Sequence, residues 1–156
     1  MTSTDTRWEL EVRPAKMRLW VILGAVFVLA VHIGAALVLR GGGDSGVHLR
    51  LADQIAILTI GIALSGALLL FTRPRFRAGA EGVAVRNVVA GRHVPWDEVR
   101  GLSFPEGAPW ARLELPYDEY VPVVAVQARD GRSAVDALDR FREPEARYSR
   151  GVVGDD

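Results

Sequence analysis

Residues 94–128, "VPWDEVRGLSFPEGAPWARLELPYDEYVPVVAVQA", set short apolar runs between clusters of turn-forming residues. Within "RGLSF", Leu102 and Phe104 share one face. In "WARLELP", Ala111, Leu113 and Leu115 alternate with Trp110, Arg112 and Glu114. Alternation with period two is the mark of a strand buried on one side. "YVPVVAVQA" is the most strand-like segment of the chain, because it is rich in valine and bounded by turn signals. "PEGAP" and "PYDE" break the pattern between the runs. Pro122 has no N–H to give a ladder, so its strand is expected at an edge or a bulge.

Working outward, "RDGRS" is a turn, and Ser133 with Asp136 three residues on resembles a helix N-cap arrangement. Val135, Leu138 and Phe141 then recur at helical spacing, and Pro144 is expected to end the helix. Residues 145–156, rich in charge and glycine, are expected as a disordered tail. Upstream, Val83 and Val85 alternate with Ala84 and Arg86, a turn is expected at Ala90 to Arg92, and "HVPW" resumes an extended chain. A sheet of about five or six short strands cannot leave its inner face open to water, and the final helix is the only element available to cover it. Residues 73–144 are therefore expected as an α+β domain, a small antiparallel sheet or partial barrel capped by a C-terminal helix. That is a pleckstrin-homology (PH)-like architecture.

The preceding half of the chain has a different solvent. Residues 19–39, "LWVILGAVFVLAVHIGAALVL", contain no charged residue and at helical rise extend roughly 30 Å, the thickness of a hydrocarbon core. Residues 55–71, "IAILTIGIALSGALLLF", form a second expected span, and the glycine-rich residues 40–54 a short extracytoplasmic loop between them. This predicts a membrane α-helical hairpin. Arg7, Arg13, Lys16 and Arg18 precede the first span and Arg73, Arg75 and Arg77 follow the second, with only Arg40 and Arg50 between. By the positive-inside rule the tail of residues 1–18 and the domain after the spans are both cytoplasmic, in a multi-pass protein of the cell membrane. A cleaved signal peptide is the competing reading of the first span. Against it stand the length of the apolar run, Glu9 and Glu11 in the leader, and the lack of a convincing small-x-small cleavage site ahead of a mature domain. Ala30 with Gly34 and Gly61 with Ser65 have the spacing that lets helices pack closely in a membrane. His32 is the one ionisable group well inside a span, and a satisfied interhelical hydrogen bond is favoured over a proton relay, since no intramembrane carboxylate accompanies it.

Composition excludes several classes. There is no cysteine, hence no disulfide framework or thiolate metal site. Residues 73–156 carry 13 arginines against 14 acids, without the basic excess of a nucleic-acid binder. His32, His48 and His93 are scattered over a span, the loop and the domain, and "YDEY" reads as a solvated turn. No GxSxG, P-loop, HExxH or dinucleotide fingerprint occurs. The expectation is a non-enzyme with no cofactor and no metal.

"RPRFRAGAEGVAVRN", "VPWDEV" and "LSFPEGAPWARLELPYDEYVPVVAVQA" resemble the actinobacterial membrane proteins with a bacterial PH domain, of the low molecular weight protein antigen 6 type. The likeness runs from Arg73 to Phe141, about half the chain, and the two spans before it fit as well. It implies a membrane-tethered PH-like fold without known catalytic activity.

Two surfaces are candidates for function. Trp96 is expected in the core, whereas Trp110 is divided between core and contact. The loop Pro105, Gly107 and Pro109 with Trp110 and Arg112 is the preferred partner-binding surface, because a rigid loop beside aromatic residues binds at low entropic cost. Arg73, Arg75, Arg77, Arg86 and Arg92 are candidate contacts for anionic lipid headgroups if they converge. The favoured role is an interaction module that positions a protein partner at the inner face of the membrane, with envelope growth or division as a setting. The alternatives are an accessory subunit of a transporter or envelope enzyme acting through its helices, and an anionic-lipid-binding module.

Overall fold

The computed structural model describes residues 8–40 and 50–149. They divide into two compact units, one of residues 16–72 and one that joins the N-terminal segment to everything from Arg73 onward.

The first unit is a pair of helices, α1 (Ala15–Arg40) and α2 (Leu51–Leu69), the second continued by a 3-10 turn to Thr72. Both are long and apolar enough to cross a membrane. Each begins four residues before the span read from the sequence. Most of the expected loop, 41–49, lies outside the described residues, as do residues 150–156 of the expected tail. The buried seam runs through Ala25 and Ala36 of α1 and Gly61 and Ser65 of α2. Ser65 Oγ donates to the Ala25 carbonyl at 3.0 Å. At Gly61 a Cβ would lie 2.6 Å from His32 Cβ, so only glycine lets the helices approach there. Gly61 and Ser65 both lie on this seam. Ala30 and Gly34 do not belong to it, since Ala30 is exposed and nothing approaches a Cβ on Gly34 within 4 Å. The expected interhelical bond of His32 is also corrected: its Nδ1 lies 2.8 Å from the carbonyl of Val28 on its own helix.

Among the described residues the second unit has seven strands rather than five or six, in two antiparallel sheets that do not close into a barrel. The first sheet has the order β1 (Trp8–Val12), β2 (Arg75–Gly79), β3 (Gly82–Arg86), β4 (Gly91–Val94). The second has the order β5 (Gly101–Ser103), β6 (Trp110–Glu114), β7 (Tyr120–Gln127). β1 falls within the expected N-terminal tail, yet "WELEV" alternates as a strand should, and Leu10, Glu11 and Val12 pair with Ala78, Arg77 and Phe76. The two helices are thus inserted in sequence between adjacent strands of one sheet. The turn after β3 runs from Asn87 to Ala90, whose carbonyl accepts from Asn87 N at 2.8 Å, so Gly91 and Arg92 are strand residues and not the turn. Gly82 has a φ of +132°, and a Cβ there would stand 2.4 Å from the Val94 carbonyl oxygen.

Pro122 sits where the sequence places it, on a strand paired by β6 on one side only. The other edge of β7 is closed by one side chain: Asn87 Nδ2 donates to the Pro122 carbonyl at 2.9 Å, and Val124 N donates to Asn87 Oδ1 at 3.3 Å. The amide acts there as one surrogate peptide of a neighbouring strand.

Helix α3 (Arg132–Tyr148) covers the open end. Its buried stripe is Ala134, Ala137, Phe141 and Pro144, while Val135 is 56% exposed, so the expected stripe is correct at Phe141 and rotated elsewhere. Ser133 is not the cap, a place taken by Gly131 without a side-chain bond. Pro144 does not end the helix. Its ring is buried, and the chain stays helical to Tyr148, so residues 145–148 are ordered structure rather than tail. One core cluster unites both sheets and α3. At its centre Phe141 lies 5.4 Å from Phe76 and 5.8 Å from Trp96, and Trp96 stacks on Tyr148 at 5.9 Å, centroid to centroid. Trp96 is 6% exposed and its Nε1 donates to the Gly79 carbonyl at 2.8 Å, which answers both demands of a buried indole.

Candidate functional site

Two concave surfaces on the second unit gather the residues singled out in the sequence. The first, of about 460 Å³, is lined by the loop Pro105 to Pro109 together with Trp110, Arg112, Tyr120 and Pro122. The loop is held by a turn in which Ala108 N donates to the Pro105 carbonyl at 3.0 Å, with Gly107 at a φ of +75°. Ala128 N donates to the Pro109 carbonyl at 3.0 Å and fixes its far end. A shift of register between Trp110 and Ala111 frees Trp110 from the regular ladder and leaves it 38% exposed at the rim. Tyr120, which the sequence reading passed over, faces Arg112 across the pair of strands, with the guanidinium carbon 4.3 Å from the ring centroid. The result is a groove with two aromatic rings, three prolines and a cation held over a ring.

The second surface lies on the four-stranded sheet. Phe76, Ala78, Val83 and Val85 turn into the core, so Arg75, Arg77, Ala84 and Arg86 face outward. Strand register sets Arg75 directly opposite Arg86. Arg92 and His93 of β4 also line a cavity of about 440 Å³ there, together with Ala84, Val85 and the exposed Val89. Arg75, Arg77 and Arg86 thus share the outer face, Arg92 lines the cavity at the edge but stands opposite the core-facing Val85, and Arg73 does not line it. Arg13, just after β1, adds its charge beside Arg75. The carboxylate at this face is Glu11, hydrogen-bonded by Arg13 Nε and 3.1 Å from Arg77 Nε. That second contact is an ion pair without an aligned hydrogen bond, because the buried Arg77 Nε has no hydrogen-bond acceptor. Burial alone would raise the Glu11 carboxyl, but the Arg13 hydrogen bond and the charges of Arg13, Arg77 and Arg75 outweigh it and hold the group below its ordinary value. Burial lowers the proton affinity of Arg75, and the neighbouring charges of Arg13, Arg77 and Arg86 lower it further against the opposing pull of Glu11. Glu11, Arg13 and His93 were missed in the sequence because their membership depends on β1 and β4 flanking the β2–β3 pair.

Among the described residues no three His, Asp or Glu side chains come together as a metal site. Asp118 and Glu119 of "YDEY" are exposed in a turn.

Two antiparallel sheets sharing a core with one C-terminal helix define a PH-like domain. The bacterial PH domain family model matches residues 73–144. Uncharacterized proteins of Mycobacterium bovis and Mycobacterium tuberculosis are each 44% identical over 148 residues, 95% of this chain and 96% of theirs. Low molecular weight protein antigen 6 of Mycobacterium tuberculosis is 42% identical over 59 residues, 38% of this chain and 49% of that protein. No solved structure matches. The chain belongs to the bacterial PH domain family, as the resemblance in its sequence implied.

Proposed function

We propose that this protein is a non-enzymatic, membrane-anchored module whose PH-like domain holds a protein partner at the inner face of the cell membrane. The observation that carries the reading is the groove of Trp110, Arg112, Tyr120 and the prolines, in which exposed aromatic surface is built on a hydrogen-bonded turn and not on a mobile loop. Anchoring draws on the two apolar helices, and the sidedness on two separate arguments. β1 and β2 pair with each other, so both ends of the inserted hairpin belong on one side, which an even number of crossings satisfies. The basic residues cluster at those ends, with Arg13, Lys16 and Arg18 before the uncharged stretch of α1 that starts at Leu19, and Arg73, Arg75 and Arg77 after α2. Tethering then raises the effective concentration of the groove toward other membrane components.

A photoreactive residue at Trp110, crosslinked in native membranes and read by mass spectrometry, tests this reading. A specific protein adduct there supports it, and adducts absent at Trp110 but present from the helices refute it. Action through the helices is the second reading, favoured by Ala30 and Gly34, a close-packing pair that the hairpin's own seam leaves unused. Because His32 is committed to the seam against Gly61, the helix probe belongs at Ala30. Replacement of both helices by an unrelated two-span hairpin separates the two readings, since retained function is compatible only with the first.

A further inference from the structure

We propose that the occupant of the Trp110 groove is a proline-rich segment of the partner protein, extended as a polyproline helix and carrying an acidic side chain. The inference rests on the reading of that groove as a partner site and names the chemistry the groove selects. Hydrogen bonding narrows the choice first. Pro105, Pro109 and Pro122 line the groove and have no N–H to offer. Their carbonyls are already taken, by Ala108 N, Ala128 N and Asn87 Nδ2 in turn. Trp110 and Arg112 contribute donors, and the side-chain acceptors are the Tyr120 hydroxyl and the carboxylate of Glu106 on the exposed loop. An ordinary extended peptide brings an N–H with every C=O and would find few acceptors there. A polyproline segment brings carbonyls without N–H groups, and its backbone makes no internal hydrogen bonds.

Shape agrees with this. Trp110 and Tyr120 are 38% and 47% exposed, and aromatic rings set along a groove are the surfaces against which pyrrolidine rings pack. A cavity of about 460 Å³ has room for a few residues of a helix that advances about 3 Å per residue. Such a helix is extended before it binds, so little chain is ordered on docking. Charge supplies the acidic residue. Arg112 is held over the Tyr120 ring, and among the described residues no carboxylate lies within ion-pair distance of it. Glu114, the acid two residues along the same strand face, accepts instead from the Ser103 hydroxyl on β5. A guanidinium fixed on a ring keeps its edge N–H groups for a planar carboxylate, which the partner must bring.

The full chain in nanodiscs of phosphatidylcholine is titrated into fluorescein-labelled peptides and followed by fluorescence polarisation. The first peptide is a proline run of about three turns flanked at both ends by glutamate. The second has lysine in place of the glutamates, and the third keeps the glutamates but has alanine in place of every proline. The first should bind, and each of the others should bind about 10-fold more weakly, as expected for one lost charge-assisted contact or for lost ring packing. Trp110→Ala should weaken the first peptide about 10-fold or more. Arg112→Gln should bring the glutamate- and lysine-flanked peptides to one affinity while the preference for proline over alanine persists, a pattern that a damaged fold does not produce. Val135→Ala, on the exposed side of α3, should leave every affinity unchanged. No binding of the first peptide, equal binding of the alanine peptide, or a Trp110→Ala variant that binds as the parent does would overturn the proposal. A protein adduct at Trp110 in native membranes, with no binding of the proline peptide, would overturn the proline chemistry and leave the groove a partner site.

Discussion

A chain that begins at Arg73, where the family match begins, lacks β1 and with it one side of the first sheet. Leu10 is 2% exposed between β2 and the core, and its loss leaves a hole of the kind that costs about 2–5 kcal/mol when a buried leucine is truncated. The ladder from β1 to β2 returns to water at about 0.5–1.5 kcal/mol for each bond. Glu9 also leaves Tyr148, whose hydroxyl it accepts, and Arg147, 3.0 Å away, but these contacts are solvent-screened and are left out of the sum. The sum is at least about 4 kcal/mol, a large part of the roughly 5–15 kcal/mol that holds a small domain together. Residues 73–149 should therefore unfold at markedly lower urea than a single chain that joins residues 8–13 to 73–149 through a short glycine-serine linker. A peptide of residues 8–14 added in trans should raise the melting temperature with its concentration. Coincident urea midpoints for the two chains, together with no response to the peptide, would refute the account of β1 as part of the domain.

Three other substitutions test the packing. Gly82→Ala meets the Val94 carbonyl at 2.4 Å in a backbone conformation closed to alanine, and should cost at least about 2 kcal/mol in urea unfolding. Gly107→Ala, with open space around it, should cost about 1–2 kcal/mol from its φ alone, and equal losses at the two sites would remove the steric argument. Trp96→Phe keeps a ring in the stack but strands the Gly79 carbonyl, for an expected loss of about 1–3 kcal/mol; an unchanged midpoint would show that the indole bond contributes nothing. Burial raises the Glu145 carboxyl, with Arg142 opposing it, so the folded protein holds that proton more tightly than the unfolded chain. The contribution is favourable below the ordinary carboxyl range and is lost as pH rises through the raised value. Glu145→Gln should accordingly flatten the fall in stability above that range, as followed by thermal melts across pH, and an unaltered pH profile would exclude Glu145 as its source.

Strand period, turn residues and the two apolar runs made most of this architecture readable, because each is a local property of a few consecutive residues. What escaped the reading is non-local. "WELEV" alternates as clearly as any strand in the chain, but its partner lies more than 60 residues away beyond two helices, and alternation alone names no partner. The buried stripe of α3 was displaced because alanines at 134 and 137 pack closely where the more hydrophobic Val135 was expected to do so. Pro144 lies buried inside α3 and does not end it, a placement that the local rule against proline in a helix cannot announce. The groove was legible as residues, since "PEGAPW" carries its own turn chemistry, whereas Tyr120 entered it only through the pairing of β6 with β7. The arginine face could be named but not assembled from sequence, as its shape depends on register across four strands.

The insertion of the helices between β1 and β2 also fixes an order of events during synthesis. β1 emerges from the ribosome first and has nothing to pair with until both helices and β2 have followed it. For a hairpin that crosses the bilayer, a chain whose second helix fails to insert strands β1 and β2 on opposite sides, and the domain has no route to completion. Correct membrane insertion is then a precondition of folding, and a misinserted chain announces itself to cellular quality control as an unfolded one.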